Sequence, residues 1–265
     1  MPGKKPKGEY AIQTVTNVLR VLDAFREADD FGVTELATLL GLHKNNVFRL
    51  LATLEVAGYV DQIEATDRYR LGIRSLELGQ AFLRSRSVHR LARPLLEKLA
   101  ADTQECAHLA VLRDFNAVYI DSAPADQLLS TGSLVGRRLP LHCSAAGKVL
   151  LGGASEAVRE EFDRTVIAGQ GLESRTPASI VDPHKLFEHV RTVSVAGFAL
   201  EIEESAPGLC CAAAPVFNAS GEVVAAISVA GPVFRLGENE LLSRIAPAVT
   251  EAAGCLSRDL GYATS

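Results

Sequence analysis

Between residues 41 and 60 the chain reads GLHKNNVFRLLATLEVAGYV, and its polar residues are of kinds that read nucleic acid. His43, Lys44, Asn45, Asn46, Arg49 and Thr53 fall outside the apolar repeat of Val47, Leu50, Leu51 and Leu54. An asparagine amide can bridge N6 and N7 of adenine, and a guanidinium can bridge O6 and N7 of guanine. Each such pair is worth ~1–3 kcal/mol of discrimination. Lys44, together with a helix N-terminus, suits a phosphate oxygen. No acidic residue occurs from 36 through 54, whereas a merely solvated helix face ordinarily mixes Glu with Lys. Arg68 and Arg70, in a following hairpin, are placed for the DNA backbone or minor groove, although Glu64 and Asp67 at the tip oppose close approach.

Other chemistries fail on spacing. SAAGK resembles the end of a phosphate-binding loop, but His142 stands where its first glycine is required and Val149 replaces the Ser/Thr. His142 and Cys143 are sequence neighbours, which rarely face each other, and no acid is placed to orient the histidine for nucleophilic work. His184 and His189 are five apart, so they do not share a helix face as metal ligands four apart would. The five cysteines (Cys106, Cys143, Cys210, Cys211 and Cys255) contain no C-x-x-C pair. They read as buried, reduced thiols of a cytoplasmic protein. Cys210 and Cys211 point to opposite faces if they lie in a strand. No catalytic residue, metal site or cofactor is therefore predicted.

The candidate reading edge needs a scaffold, and periodicity supplies one. After a weakly basic tail (residues 1–9), Val15, Val18, Leu19 and Leu22 recur as the stripe of an amphipathic helix. Thr34 can cap a short helix with Leu36, Ala37 and Leu40 on its apolar face. Gly41 provides the turn, a second helix starts near Lys44, and Gly58 ends it. YVDQI and RYRL alternate around EATD as a small hairpin. Three helices and a hairpin make a winged helix-turn-helix over residues 10–72, in which the N-terminal half of the second helix enters the major groove.

A helical connection follows over residues 73–93, carrying Arg84, Arg86, Arg90 and Arg93, and Pro94 is expected to open the next helix. From 94 to 262, strands are expected at HLAVL, VYIDSA, residues 132–136, FALEI, LCCAAAPVF and VVAAISVAG. Helices are expected at about residues 145–151, 155–165, 183–195 and 238–260, and NASG as a hairpin turn. The second domain is thus α+β with an antiparallel sheet.

Bulk properties agree with this division. A chain of 265 residues suggests two domains at ~150 residues each. With 48% hydrophobic and 22% charged residues it can bury a core, and no apolar run approaches the ~18 residues that span a bilayer. The net charge of −5 conceals a split: residues 1–93 carry 14 Lys+Arg against 11 Asp+Glu, and residues 94–265 carry 13 against 21. Only the first part is suited to meeting phosphates.

The runs VTNVLRVLDAF, ELATLLGLHKNNVFRLLATLEVAGYV and RYRLG resemble the DNA-binding half of IclR-type bacterial transcriptional regulators. GRRLPLHCSAAGKVLL and GFALEIEESAPGLCCAAAPVFNASGEVVAAISVAGP resemble that family's effector-domain signatures, in the same order. The resemblance implies a winged helix-turn-helix, a linker helix and a GAF-like effector domain. Its implied partners are a palindromic double-stranded DNA operator, a small organic acid, and further copies of the chain in a dimer or dimer of dimers. Asn45 and Asn46 replace the family's usual Ser-Thr, so operator sequence does not transfer. The family's effector contacts map to Ala145, Ala146, Glu201, Cys211 and Ser228. Leu134, Leu139 and Leu141 supply an apolar wall. Two departures stand out: Glu201 where Asp is common, and Ala230 where a second polar residue is common. The extra methylene of Glu201 would shrink or reshape the polar end, and Ala230 makes the pocket more apolar, which favours an aromatic or longer acid over a two-carbon one. Two other readings remain: a redox trigger through Cys143, Cys210 or Cys211, and an enzyme with a winged-helix accessory domain.

Overall fold

The computed structural model describes residues 11–84 and 87–263, and the chain divides into two compact units between residues 85 and 86. The tail at residues 1–9 and Arg86 lie outside the described residues.

The first unit runs α1 (Gln13–Ala24), β1 (Asp30–Phe31), α2 (Val33–Leu40), α3 (Lys44–Val56), β2 (Val60–Ile63), β3 (Arg68–Leu71) and α4 (Ile73–Arg84). Its core joins Leu36, Val47, Leu50, Leu51, Leu54, Val60 and Tyr69, so the seam of α3 is the one its periodicity indicates. In α1 the buried residues are Asn17, Val21 and Ala24, while Val15 and Leu19 of the expected stripe are exposed. That helix is apolar over more than one face, and only the face meeting α2 and α3 is covered. The cap of α2 also differs. Gly32, not Thr34, precedes the helix, and its N–H donates to Glu35 Oε2 (3.0 Å), so a first-turn carboxylate closes the end. Gly41 ends α2 with φ +64°, a conformation that costs glycine little. Arg20 Nη2 donates to the Leu40 carbonyl (2.8 Å), tying α1 to that turn. A strand not anticipated, β1, pairs with β3, giving the wing the order β1-β3-β2.

The second unit begins with α5 (Ser87–Thr103), followed by β4 (Cys106–Arg113), β5 (Asn116–Ala123) and β6 (Arg138–Pro140). Next come α6 (Ala145–Gly152), α7 (Glu156–Phe162), a π-helical turn (Asp163–Ile167) and α8 (Pro183–Ala196). The chain closes with β7 (Ala199–Ile202), β8 (Leu209–Phe217), β9 (Val223–Pro232), α9 (Glu238–Glu240), a second π-helical turn (Leu241–Ile245) and α10 (Ala246–Asp259). The strands form one antiparallel sheet in the order β6-β5-β4-β9-β8-β7. Two expectations are corrected. Pro94 lies inside α5, whose buried Ala92, Leu96, Leu99 and Ala100 carry the helix across it. Residues 132–136 are not a strand, because Gly132 and Gly136 both have positive φ and turn the chain; β6 starts at Arg138.

Both sheet faces are covered, which is why β4, β8 and β9 are mostly apolar; His108 and Ser228 are the buried polar exceptions. Ala110, Cys211, Ala213, Ala226 and Ala230 face α6 and α8. Cys210 and Ala212 alternate to the side where α5 and α10 pack. The glycine of SAAGK is there for packing: a Cβ on Gly147 would lie 2.6 Å from Leu141 Cα and 2.5 Å from Ser144 Oγ.

Candidate nucleic-acid interface and effector site

In the first unit α3 lies with its apolar seam inward, which leaves His43, Lys44, Asn45, Asn46 and Arg49 exposed. Among the described residues, none of these five side chains makes a hydrogen bond or ion pair within the chain, so their donors and acceptors remain available to a partner. His43 occupies the N-cap position without bonding to the first turn, leaving the helix start open to an anion. Thr53 is also exposed, but its hydroxyl donates to the Arg49 carbonyl (2.8 Å). Sequence reasoning passed over Phe48, which is 54% exposed beside Arg49. An exposed aromatic ring on such an edge suits a thymine methyl group. The signal was there in VFRLL, where Phe48 is the one large apolar residue off the seam.

The two wing arginines part company. Arg68 pairs with Asp30 and, through Nη2 and Nη1, with Glu35 (2.8 and 3.1 Å). That bidentate contact holds the Glu35 carboxyl below its ordinary value. Arg68 therefore braces the wing against the start of α2, and its guanidinium is not spare for DNA. Arg70 is exposed on β3, opposite Asp30 and Asp61 in the strand register.

In the second unit the fold brings the expected effector residues to one place. Leu141, Ala145, Ala146, Cys211 and Ala230 share one core cluster, with Leu134 and Leu139 packed against it. Ser228 and Glu201 join through the strand register, as Ser228 pairs with Ala213 and Glu201 with Cys211. Ser144 caps α6 by accepting from the Gly147 N–H (3.1 Å). Glu201, only 1% exposed, reaches the same helix start: the Ala145 N–H donates to its Oε2 (3.4 Å). Its Oε1 accepts from the Ser205 N–H (3.0 Å) and from the Ser205 hydroxyl. Burial raises the Glu201 pKa, and the Ser205 bonds oppose that shift. Lys148, equally buried, is committed elsewhere, donating to Glu204 Oε1 (2.6 Å) and to the Leu200 carbonyl (2.8 Å).

His108, which the sequence places only in a strand, lies on the same sheet face as these residues. It is fully buried and its register partner on β9 is Ser228. Nδ1 lies 2.7 Å from Ser122 Oγ, which also accepts from the Leu134 N–H (3.2 Å), while Nε2 has no partner among the described residues. Burial lowers its pKa to about 4, so the ring is neutral. Tyr119 packs edge-on against it (5.7 Å) and is buried beside Cys211, Glu201 and Cys143. Reactive thiols need stabilised thiolates. Here burial pushes Cys143 up to about 12 and Cys210 up to about 11, and holds Cys211 well above the ordinary thiol value. His142 donates to or accepts from none of these groups; its Nε2 meets the Glu173 carbonyl (2.9 Å).

A cavity of about 350 Å³ opens elsewhere, at the C-terminal end of α6, between Val149, Val193, Phe217, Val223 and Tyr262. It contains none of the expected effector residues, and its lining offers no buried charge.

Comparison with known proteins bears on both units. The family model "IclR helix-turn-helix domain" matches residues 14–64, and "Bacterial transcriptional regulator IclR C-terminal" matches residues 80–258. The chain is 33% identical to the HTH-type transcriptional regulator XynR of Escherichia coli over 252 residues, 95% of this chain and 98% of that one. It superimposes on the crystal structure of an IclR transcriptional regulator from Alicyclobacillus acidocaldarius with a TM-score of 0.82, at 28% identity over 94% and 99% of the two chains. A second solved structure is an IclR homologue from Microbacterium hydrocarbonoxydans complexed with 4-hydroxybenzoate. It gives a TM-score of 0.78 at 25% identity over 93% and 98% of the chains.

Proposed function

Because the chain belongs to the IclR family of bacterial transcriptional regulators, we propose that it grips a palindromic operator through α3. We propose further that its hold on DNA changes when a small organic acid enters the site between α6 and the sheet. The observation that carries the DNA reading is the acid-free edge of α3, whose five polar side chains are exposed and have no partner among the described residues. In this reading Asn45, Asn46 and Arg49 meet base edges, while Lys44, His43 and Arg70 meet phosphates. A palindromic site calls for a dimer, or a dimer of dimers, with half-sites about one helical turn apart. Among the described residues no helix is long and apolar enough to cross a membrane. A cytoplasmic location goes with the reading of the chain as a bacterial DNA-binding regulator.

For the effector, the 4-hydroxybenzoate complex of the Microbacterium relative supports an aromatic acid. The departure Ala230 supports it too, since a methyl in place of a hydroxyl makes that wall apolar. A redox trigger is disfavoured by the three buried, hard-to-ionise thiols.

The test is fluorescence anisotropy of the full chain on duplex DNA from upstream of its own gene and on a random duplex, at about 150 mM salt, where non-specific binding is weak. Preferential binding of its own upstream DNA is expected. Equal affinity for the two duplexes would contradict the proposal.

A further inference from the structure

The effector site holds its own carboxylate where an acid ligand would place one. Glu201 Oε2 already accepts from the Ala145 N–H at the start of α6, and Glu201 is 1% exposed. A ligand carboxylate brought to that helix end would compete with Glu201 for the Ala145 N–H and add a second carboxyl to a buried site, where two such groups disfavour each other's ionisation. Across the sheet, His108 leaves a fully buried nitrogen without a partner. The hydrogen-bond pattern identifies what that nitrogen offers. Ser122 Oγ accepts from the Leu134 N–H, and among the described residues the hydroxyl proton has only His108 Nδ1 to go to. Nδ1 is then the acceptor of a neutral imidazole, and Nε2 carries the hydrogen. A buried N–H without a partner is rare in folded proteins and calls for an explanation. His108 pairs in register with Ser228, which places it on the sheet face that carries Cys211 and Ala230.

We propose that the effector binds with a polarity set by these two groups: an acceptor oxygen of its carboxylate on His108 Nε2–H, and a hydroxyl donating to Glu201. The ligand class is a hydroxylated aromatic acid, and this rests on the reading of the second unit as an acid-responsive domain.

The test is titration calorimetry of the full chain with three probes: 4-hydroxybenzoate, benzoate (no hydroxyl) and phenol (no carboxylate). 4-Hydroxybenzoate is expected to bind at least tenfold more tightly than either. His108→Phe, which removes the donor, is expected to weaken it tenfold or more. His108→Asn, which keeps an N–H, should lose less. Retained operator binding by both variants serves as the control for folding. In ¹⁵N-histidine spectra the free protein should show the Nε2–H form of His108, with that signal moving on addition of 4-hydroxybenzoate.

Equal affinity for benzoate and 4-hydroxybenzoate, or undiminished binding by His108→Phe, would overturn the polarity while leaving the acid-responsive reading in place. No binding of any of the three probes, with operator binding intact, would overturn both.

Discussion

At the scale of single residues, burial decides more than residue type. Lys148 looked like the last letter of a failed phosphate loop, and the fold uses it as a buried strut between Glu204 and the Leu200 carbonyl. Breaking one side of a buried pair leaves an uncompensated charge. Lys148→Met should therefore cost about 3 kcal/mol in urea unfolding, and Lys148→Met with Glu204→Leu should recover most of that. A double variant no more stable than the single would show that Lys148 serves the Leu200 carbonyl alone. His108 sets a pH dependence. Its folded pKa of about 4 lies below the ordinary 6.5, so the unfolded chain takes up a proton that the folded chain refuses. The stabilisation is complete above pH 6.5 and is lost as pH falls toward 4, reaching about 3 kcal/mol. Glu201, with its raised pKa, acts in the opposite sense, so the comparison must be between wild type and His108→Asn. The variant should unfold less steeply with acid between pH 6.5 and 4. Parallel curves would mean that His108 is not held neutral. Neither role was legible beforehand. HLAVL gives the strand and its alternation, but not which polar atom on the inward face goes unpaired.

At the scale of elements, much of the architecture followed from periodicity, and the misses share a cause. The seam of α3, the turn at Gly41, the NASG hairpin and five of the six strands of the larger sheet lie where alternation and turn residues put them. The errors fall where a local preference met a tertiary constraint. Pro94 prefers a first turn yet sits within α5, and Thr34 is a good cap yet yields to the Gly32–Glu35 contact. Val15 and Leu19 were assigned to a core that α1 meets through Val21 and Ala24. Gly147 illustrates the same point from the other side, since its requirement comes from the neighbouring Leu141 backbone. Gly147→Ala should force α6 away from that segment and lower stability by about 1–3 kcal/mol, the usual cost of overpacking. A melting temperature equal to wild type would show that the two segments separate freely.

At the scale of the whole molecule, the charge division and the two family matches describe one device: a small, less acidic unit presenting α3, and a larger acidic unit enclosing a polar-ended cluster. The family was legible because two motif blocks resemble its DNA-binding and effector-domain signatures in the same order, and the family models match both. The identity of the ligand was not, because it depends on which buried polar atoms lack partners after folding. The central claim is that the outer edge of α3 reads base sequence. It is tested most directly by measuring Arg49→Ala against wild type on the protein's own upstream duplex and on a random duplex, with thermal unfolding as the control for folding. If Arg49 meets a base edge, the substitution costs about 1–3 kcal/mol on the specific duplex and much less on the random one. Unchanged affinity for the specific duplex, in a variant that melts like wild type, would contradict the account.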